Sequence, residues 1–194
     1  MSKVMDTAKN TFNKLDIDRR IEPRNIQSEI KTDINTSKKN IDVRIDTLNI
    51  LLPSEKYFDW TGKPGDSLCI PKNEGLYNVF RDYGREGVEF KNGFPDFSPF
   101  SQETIRIDNI TTSREGTFRK AFEAMAEKWN KEKKDGRSDW TSRDVKDWKR
   151  DNNLDFHECE DGKTIQAVPH EVHDNIPHTG GHSLAVNKAV QFDK

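Results

Sequence analysis

The chain has 194 residues, 31% hydrophobic and 34% charged, with a mean hydropathy of −0.98, a lean composition for one large apolar core. No apolar run approaches the roughly 18 residues of a membrane span, the opening MSKVMDTAKNTFNK has no apolar signal-peptide core, and two cysteines, Cys69 and Cys159, are too few for a disulfide framework or a cysteine-based zinc site. The net charge of −2 does not announce a nucleic-acid binder, but it is unevenly spread: residues 112–150 carry 12 basic and 8 acidic side chains, residues 151–194 carry 3 and 8.

Residues 1–50 are polar, with Phe12 as their one aromatic and no glycine before Gly62. Ile26, Ile30 and Ile34 have helical spacing, while Ile41, Val43 and Ile45 alternate. The segment reads as a marginal helix plus linker, an extension over 1–55 ahead of a domain over 56–194. From Tyr57 the character changes. Residues 57–100 hold ten of the 18 aromatics, with Gly62, Gly65, Gly75, Gly84, Gly87 and Gly93 among them. That mixture predicts short strands and turns, with VEFKNGF (88–94) a hairpin through Asn92-Gly93.

Phe118, Ala121, Phe122, Met125, Ala126 and Trp129 form one apolar stripe and predict a helix over 117–132. Lys128 and Lys131 lie on its opposite face. DGRSD breaks that helix. A second then starts at Thr141 as N-cap, with Asp144 at N3 as a capping-box variant and Trp140 stapled onto Val145. It exposes Arg143, Lys146, Lys149 and Arg150, and by charge alone the cations of the two helices read either as a solvated helix surface or as a phosphate-binding face.

All five histidines, His157, His170, His173, His178 and His182, fall within 26 residues, with Glu158 and Glu171 among them. Histidine is the commonest transition-metal ligand and general base, so the chemistry concentrates here. LDFHECE, Asp161-Gly162 and KTIQAV read as strand, tight turn and strand. Pro169 opens a short helix, P-H-E-V-H, which Pro177 interrupts, and Gly180-Gly181 ends the segment. Neighbouring strand residues point to opposite faces, so His157 and Glu158 reach one ion together only if the strand bulges or frays. His170 and His173 share a helix face. His173 and His178, five residues apart, converge only if the helix breaks at Pro177.

FHECEDGKTIQAVPHEVHDNIPHTGG resembles the C-terminal motif of the nuclease toxin domains of the HNH/endonuclease VII superfamily. In the similar subfamily a strand carries an aromatic-His-His or aromatic-His-Glu triplet, and a V-P-x-x-[IV]-H-x-x-x-x-H-x-G-G stretch follows the hairpin. This chain supplies Phe156-His157-Glu158, Val168-Pro169, Val172-His173 and His178-Thr179-Gly180-Gly181. GVEFKNGFPDFSPF, the Arg114-to-Trp129 helix and DWTSRDVKDW are similar to the region upstream of that motif in bacterial polymorphic toxins.

The resemblance implies an α+β protein with a ββα-metal, HNH-like core at about 153–183, preceded by helices and short strands, and an endonuclease that hydrolyses phosphodiester bonds of DNA with little sequence specificity. One divalent ion (Mg²⁺, Mn²⁺ or Zn²⁺) is its cofactor. His173 and His178 match the two later motif histidines and are the expected metal ligands. The triplet leaves two assignments. Either His157 is a ligand and Glu158 the base, or His157 is the base and Glu158 binds metal or supports it; an imidazole titrating near neutrality favours the second. His170 and His182 match no motif position and are read as exposed or supporting residues, and Gln166 as an orienting one. The resemblance further implies a bacterial toxin domain, secreted or delivered into a target-cell cytoplasm with no signal peptide in this chain, and a cognate immunity protein as partner. An RNase toxin, or a non-catalytic zinc-stapled module binding nucleic acid or protein, is the alternative.

Overall fold

The computed structural model describes residues 50–192, with side chains as far as Asn187; of the partly helical extension expected over 1–55, residues 1–49 lie outside the described residues. The architecture is α+β. Strands β1 (Phe58–Trp60), β2 (Leu68–Pro71), β3 (Val88–Lys91) and β4 (Phe94–Asp96) form an antiparallel sheet in that order. The β3–β4 turn is the one expected. Asn92 and Gly93 sit at φ of 53° and 84°, the left-handed pair that a two-residue hairpin turn requires, and Lys91 faces Phe94 across it. Between β2 and β3 runs a helix, α1 (Glu74–Asp82), where strands and turns were expected. The Asn73 side chain accepts a hydrogen bond from the Leu76 N–H at 2.9 Å, and Leu76, Val79, Phe80 and Tyr83 form the stripe that packs inward.

The second sheet has the order β5 (Glu103–Arg106), β7 (Thr164–Pro169), β6 (Leu154–Glu158), again antiparallel, so β6 is an edge strand. Helix α2 (Arg114–Glu132) starts three residues before the expected 117, because the Ser113 hydroxyl accepts from the Gly116 N–H at 3.1 Å. Helix α3 (Ser142–Asp151) has the expected capping box: Thr141 and Asp144 each bond the other's backbone N–H. Both helices cover the sheet through Ala121, Met125, Trp129, Val145, Leu154, Phe156, Ile165 and Ala167. Trp129 is fully buried, with the rings of Trp140 and Trp148 edge-on at 4.8 and 5.0 Å. A second core of Phe58, Phe80, Phe90, Phe97, Phe100, Val168, Val172 and Ile176 joins the first sheet and α1 to the end of β7 and the chain after it.

Three expectations near the C-terminus are corrected. The β6–β7 connection is not a two-residue Asp-Gly turn: the Cys159 N–H donates to the Thr164 carbonyl, and the loop between them is tied by Asp161, whose carboxylate accepts from the backbone N–H groups of Lys163 and Thr164. Helix α4 (His170–His173) ends before Pro177 can interrupt it. Gly180-Gly181 does not end the structure but opens a further helix, α5 (Gly181–Phe192). A Cβ on Gly180 would lie 2.9 Å from the Glu158 carbonyl oxygen, and one on Gly181 would run into the Cys159 carbonyl. Glycines there let the chain press against the end of β6. Upstream, the Leu51 N–H donates to Thr179 Oγ1 at 2.8 Å, so residues 50–52 run beside the same segment.

Candidate functional site

β6 pairs in regular register as far as Glu158 opposite Ile165, so side-chain alternation holds through His157 and Glu158. Phe156 faces α2, with its ring 5.5 Å from Phe118 and 5.1 Å from Phe122. His157 faces the other way, onto Phe97, and is 2% exposed. There α4 brings His173 and the following loop brings His178. One ring nitrogen from each of His157, His173 and His178 lies within 4.8 Å of the others, and His178 Nε2 is 3.2 Å from His157 Nδ1. These histidines are the ones brought together. Glu158, expected to accompany His173 and His178, points to the opposite face because β6 neither bulges nor frays.

The group suits a metal ion. The Ile176 carbonyl accepts from His178 Nδ1 at 2.6 Å, which leaves His178 Nε2 a bare lone pair aimed at His157. Burial pushes the His157 and His178 imidazoles below their ordinary range, and drives His173 down to about 4, with His178 beside it adding to the effect. All three are therefore neutral near pH 7, the form that coordinates. Two such nitrogens 3.2 Å apart need a proton or a cation between them.

Because β6 is an edge strand, residues of both its faces reach a cleft of about 350 Å³ that passes the edge, lined by Arg114, Asp155, His157, Glu158, His173, His178 and His182 among others. Glu158 is 5% exposed. Its Oε2 lies 3.5 Å from Nε of Arg114 at the start of α2, while Oε1 is buried without a partner. Burial raises its carboxyl and the Arg114 guanidinium only partly offsets that. Asp155, one residue before Phe156, holds His170 Nδ1 at 2.6 Å and lies 3.9 Å from His173 Nδ1. His170 is thus an exposed partner of Asp155, and that carboxylate raises its pKa. His182, on the first turn of α5, lines the cleft with Nδ1 buried and unpartnered. Gln166 is the cross-strand partner of His157 but lines a separate groove with Glu89, Asp96, Cys159 and Glu160. Arg114 and Asp155 escaped sequence reasoning. The signal that could have found Arg114 is its place at the first turn of a helix capped by Ser113.

The expected backbone-binding cations separate into two kinds. Lys128 lies 2.6 Å from Glu103, and Lys149 bonds the Leu154 carbonyl and lies 3.4 Å from Asp155; both ammonium groups turn inward. Lys131, Arg143, Lys146 and Arg150 are exposed, with Arg150 engaged by Asp147 and Asp151.

Residues 87–180 match the family described as the DNase/tRNase domain of colicin-like bacteriocins. The match spans β3 to the loop carrying His178, nearly half of the chain, and it supports a nuclease toxin domain acting on nucleic acid. No curated protein matches the chain. Among the described residues no helix is long and apolar enough to cross a membrane.

Proposed function

We propose that residues 56–194 form a metal-dependent endonuclease domain of HNH type, in which β6, β7 and α4 with the loop after it make a ββα-metal core. The observation that carries this reading is the convergence of His157, His173 and His178 beside a buried, half-unpartnered Glu158 in one open cleft. A structural zinc staple closes its coordination with protein ligands, whereas a catalytic site keeps a side open to substrate; the three histidines lie on the wall of a cleft that Arg114 and Glu158 also line.

In this reading His157, His173 and His178 hold one divalent ion, Zn²⁺, Mn²⁺ or Mg²⁺, with imidazole ligands favouring the first. When bound, the ion supplies charge stabilisation at the phosphate and its leaving oxygen. Glu158, on the other strand face, is the general base: its carboxyl, raised by burial, accepts a proton from the attacking water. Arg114, exposed at the rim, turns to the scissile phosphate when substrate arrives. Lys131, Arg143 and Lys146 meet neighbouring phosphates, contacts that position a strand without reading its sequence. This gives the triplet the assignment His157 ligand and Glu158 base, the one that side-chain alternation on a regular strand favours.

DNA is the proposed substrate, on the resemblance of Phe156-His157-Glu158 and the later histidines to the nuclease toxin motif; the matched family description names both DNase and tRNase activity. The setting proposed is a bacterial toxin delivered into a target cell, with an immunity protein that covers the cleft. Supercoiled plasmid incubated with Mg²⁺, Mn²⁺, Zn²⁺ or EDTA tests the reading. Metal-dependent nicking by the parent, and its loss in His173→Ala and Glu158→Gln, are expected. Cleavage of tRNA alone reassigns the substrate. Stoichiometric zinc without cleavage of either overturns the enzyme reading in favour of a structural site.

A further inference from the structure

Among the described residues three buried side-chain polar atoms have no hydrogen-bond partner: Trp60 Nε1, Glu158 Oε1 and His182 Nδ1. Folded proteins rarely leave such atoms unpaired, and an exception marks a place where a ligand or an ordered water belongs. Glu158 and His182 line the same cleft, next to the three-histidine group. The backbone brings the two residues to neighbouring positions: Gly180 and Gly181, immediately before His182, press on the carbonyls of Glu158 and Cys159. Glu158 Oε2 faces Arg114, which leaves Oε1 as the oxygen for another partner.

We propose that Glu158 Oε1 and His182 Nδ1 together seat the water that attacks the phosphorus, an inference that rests on the hydrolytic reading above. In the tautomer with its hydrogen on Nε2, His182 accepts one water hydrogen at Nδ1, and Glu158 accepts the other. A water that donates both hydrogens keeps its lone pairs free for attack. Its oxygen forms the new bond to phosphorus, and the hydrogen facing Glu158 passes to Oε1. The hydrogen facing His182 stays on the oxygen. The bond from phosphorus to the leaving sugar oxygen breaks with its electron pair, and that oxygen takes a proton from solvent. His182 is thus a water-positioning residue and takes no proton itself.

The test compares the metal-loaded full chain with His182→Ala, His182→Leu and His182→Gln on supercoiled plasmid. A correctly held water is worth about 10²-fold in rate, so His182→Ala is expected to slow cleavage at saturating DNA by about that factor. The half-saturating DNA concentration, the melting temperature and the bound-metal stoichiometry stay at parental values. His182→Gln, whose side-chain carbonyl also accepts a hydrogen bond, restores about a tenth or more of the parental rate. If His182→Ala does not fold, His182→Leu replaces it, since leucine refills the space without an acceptor. Parental rates in the folded Ala or Leu variant, a change confined to half-saturation, or a folded His182→Gln as slow as the apolar variant each overturn the water seat. A parent that cleaves neither plasmid nor tRNA overturns the hydrolytic reading itself.

Discussion

The ring of Phe97 packs edge-on against that of His157 at 4.8 Å, and the same ring lies 5.4 Å from His173 and 5.2 Å from His178. Phe97 is fully buried and directly follows β4. One apolar wall therefore backs all three imidazoles and sets their orientation without competing for their nitrogens. Phe97→Ala is expected to cost about 3–5 kcal/mol in urea unfolding. Phe97→Leu keeps much of the volume, so its main effect is on the ligands: Zn²⁺ affinity falls by about 10–100-fold, as when other supports of a ligand are lost. Competition with a chromophoric chelator measures it, and parental affinity in Phe97→Leu would show that the backbone alone orients the rings.

Glu103 on β5 gathers the cations that the helices would otherwise present to solvent. Its carboxylate accepts from Lys128 at 2.6 Å, from Lys134 at 3.0 Å and from the buried Trp129 Nε1–H at 2.8 Å. Burial alone would raise this carboxyl, but those hydrogen bonds outweigh it and hold it below the usual range. A folded-state pKa below the unfolded one means that the unfolded chain binds the proton first as pH falls. The stabilisation is therefore present above the unfolded value, about 4.3 for glutamate, and is lost as pH falls through the lower folded value. Glu103→Ala leaves Trp129 Nε1 unpaired and is expected to cost about 1–3 kcal/mol at pH 7. Urea unfolding at descending pH should show the gap between parent and variant narrowing below the unfolded pKa; a gap independent of pH would mean that the carboxylate charge contributes nothing.

What the sequence made legible follows from how locally each element is specified. The α2 stripe, the Thr141–Asp144 box and the Asn92-Gly93 turn each reside within a few residues, and each is found. Helix α1 was readable in principle: Asn73 caps it, and Leu76, Val79, Phe80 and Tyr83 follow at helical spacing. Gly75 and the surrounding aromatics hid it inside a strand-like composition. At the site, the histidines were evident from clustering, whereas their grouping was not. Whether His157 or Glu158 joins His173 depends on β6 staying regular and on which side Phe97 packs, both set by distant parts of the chain. The inward turn of Lys128 toward Glu103, 25 residues away, is likewise invisible to helix periodicity.

Gly181 links the three-histidine group to the end of the chain. A side chain there meets both the Cys159 carbonyl and Ile110 Cδ1, one rigid backbone and one packed residue. Gly181→Ala is expected to cost about 1–3 kcal/mol by overpacking, and the strain falls on the loop that carries His178 and Thr179. The variant should therefore lose metal affinity along with stability, whereas Gly136→Ala, with open space around it, keeps its metal even where its positive φ of 74° costs stability. Isothermal titration of Zn²⁺ into chelator-treated protein compares them, and equal affinities would detach α5 from the site.

The basic helices make opposite predictions for side chains that look alike in sequence. Lys131 and Lys146 are exposed, so neutralising either should leave the melting temperature unchanged, weaken DNA binding, and reduce the slope of log affinity against log salt by about one per contact. Lys149 is only 20% exposed, bonds the Leu154 carbonyl, lies near Asp155 and covers the Phe156 ring at 5.6 Å. Lys149→Gln therefore leaves the Leu154 carbonyl without its donor and loosens Asp155, which holds His170 and faces His173. Lower stability and weaker metal binding are expected, with the salt slope of DNA binding unchanged. Filter binding across a salt series, together with thermal melts, separates the two classes. A reduced slope in Lys149→Gln would mean that its ammonium leaves Asp155 for the phosphate when DNA binds.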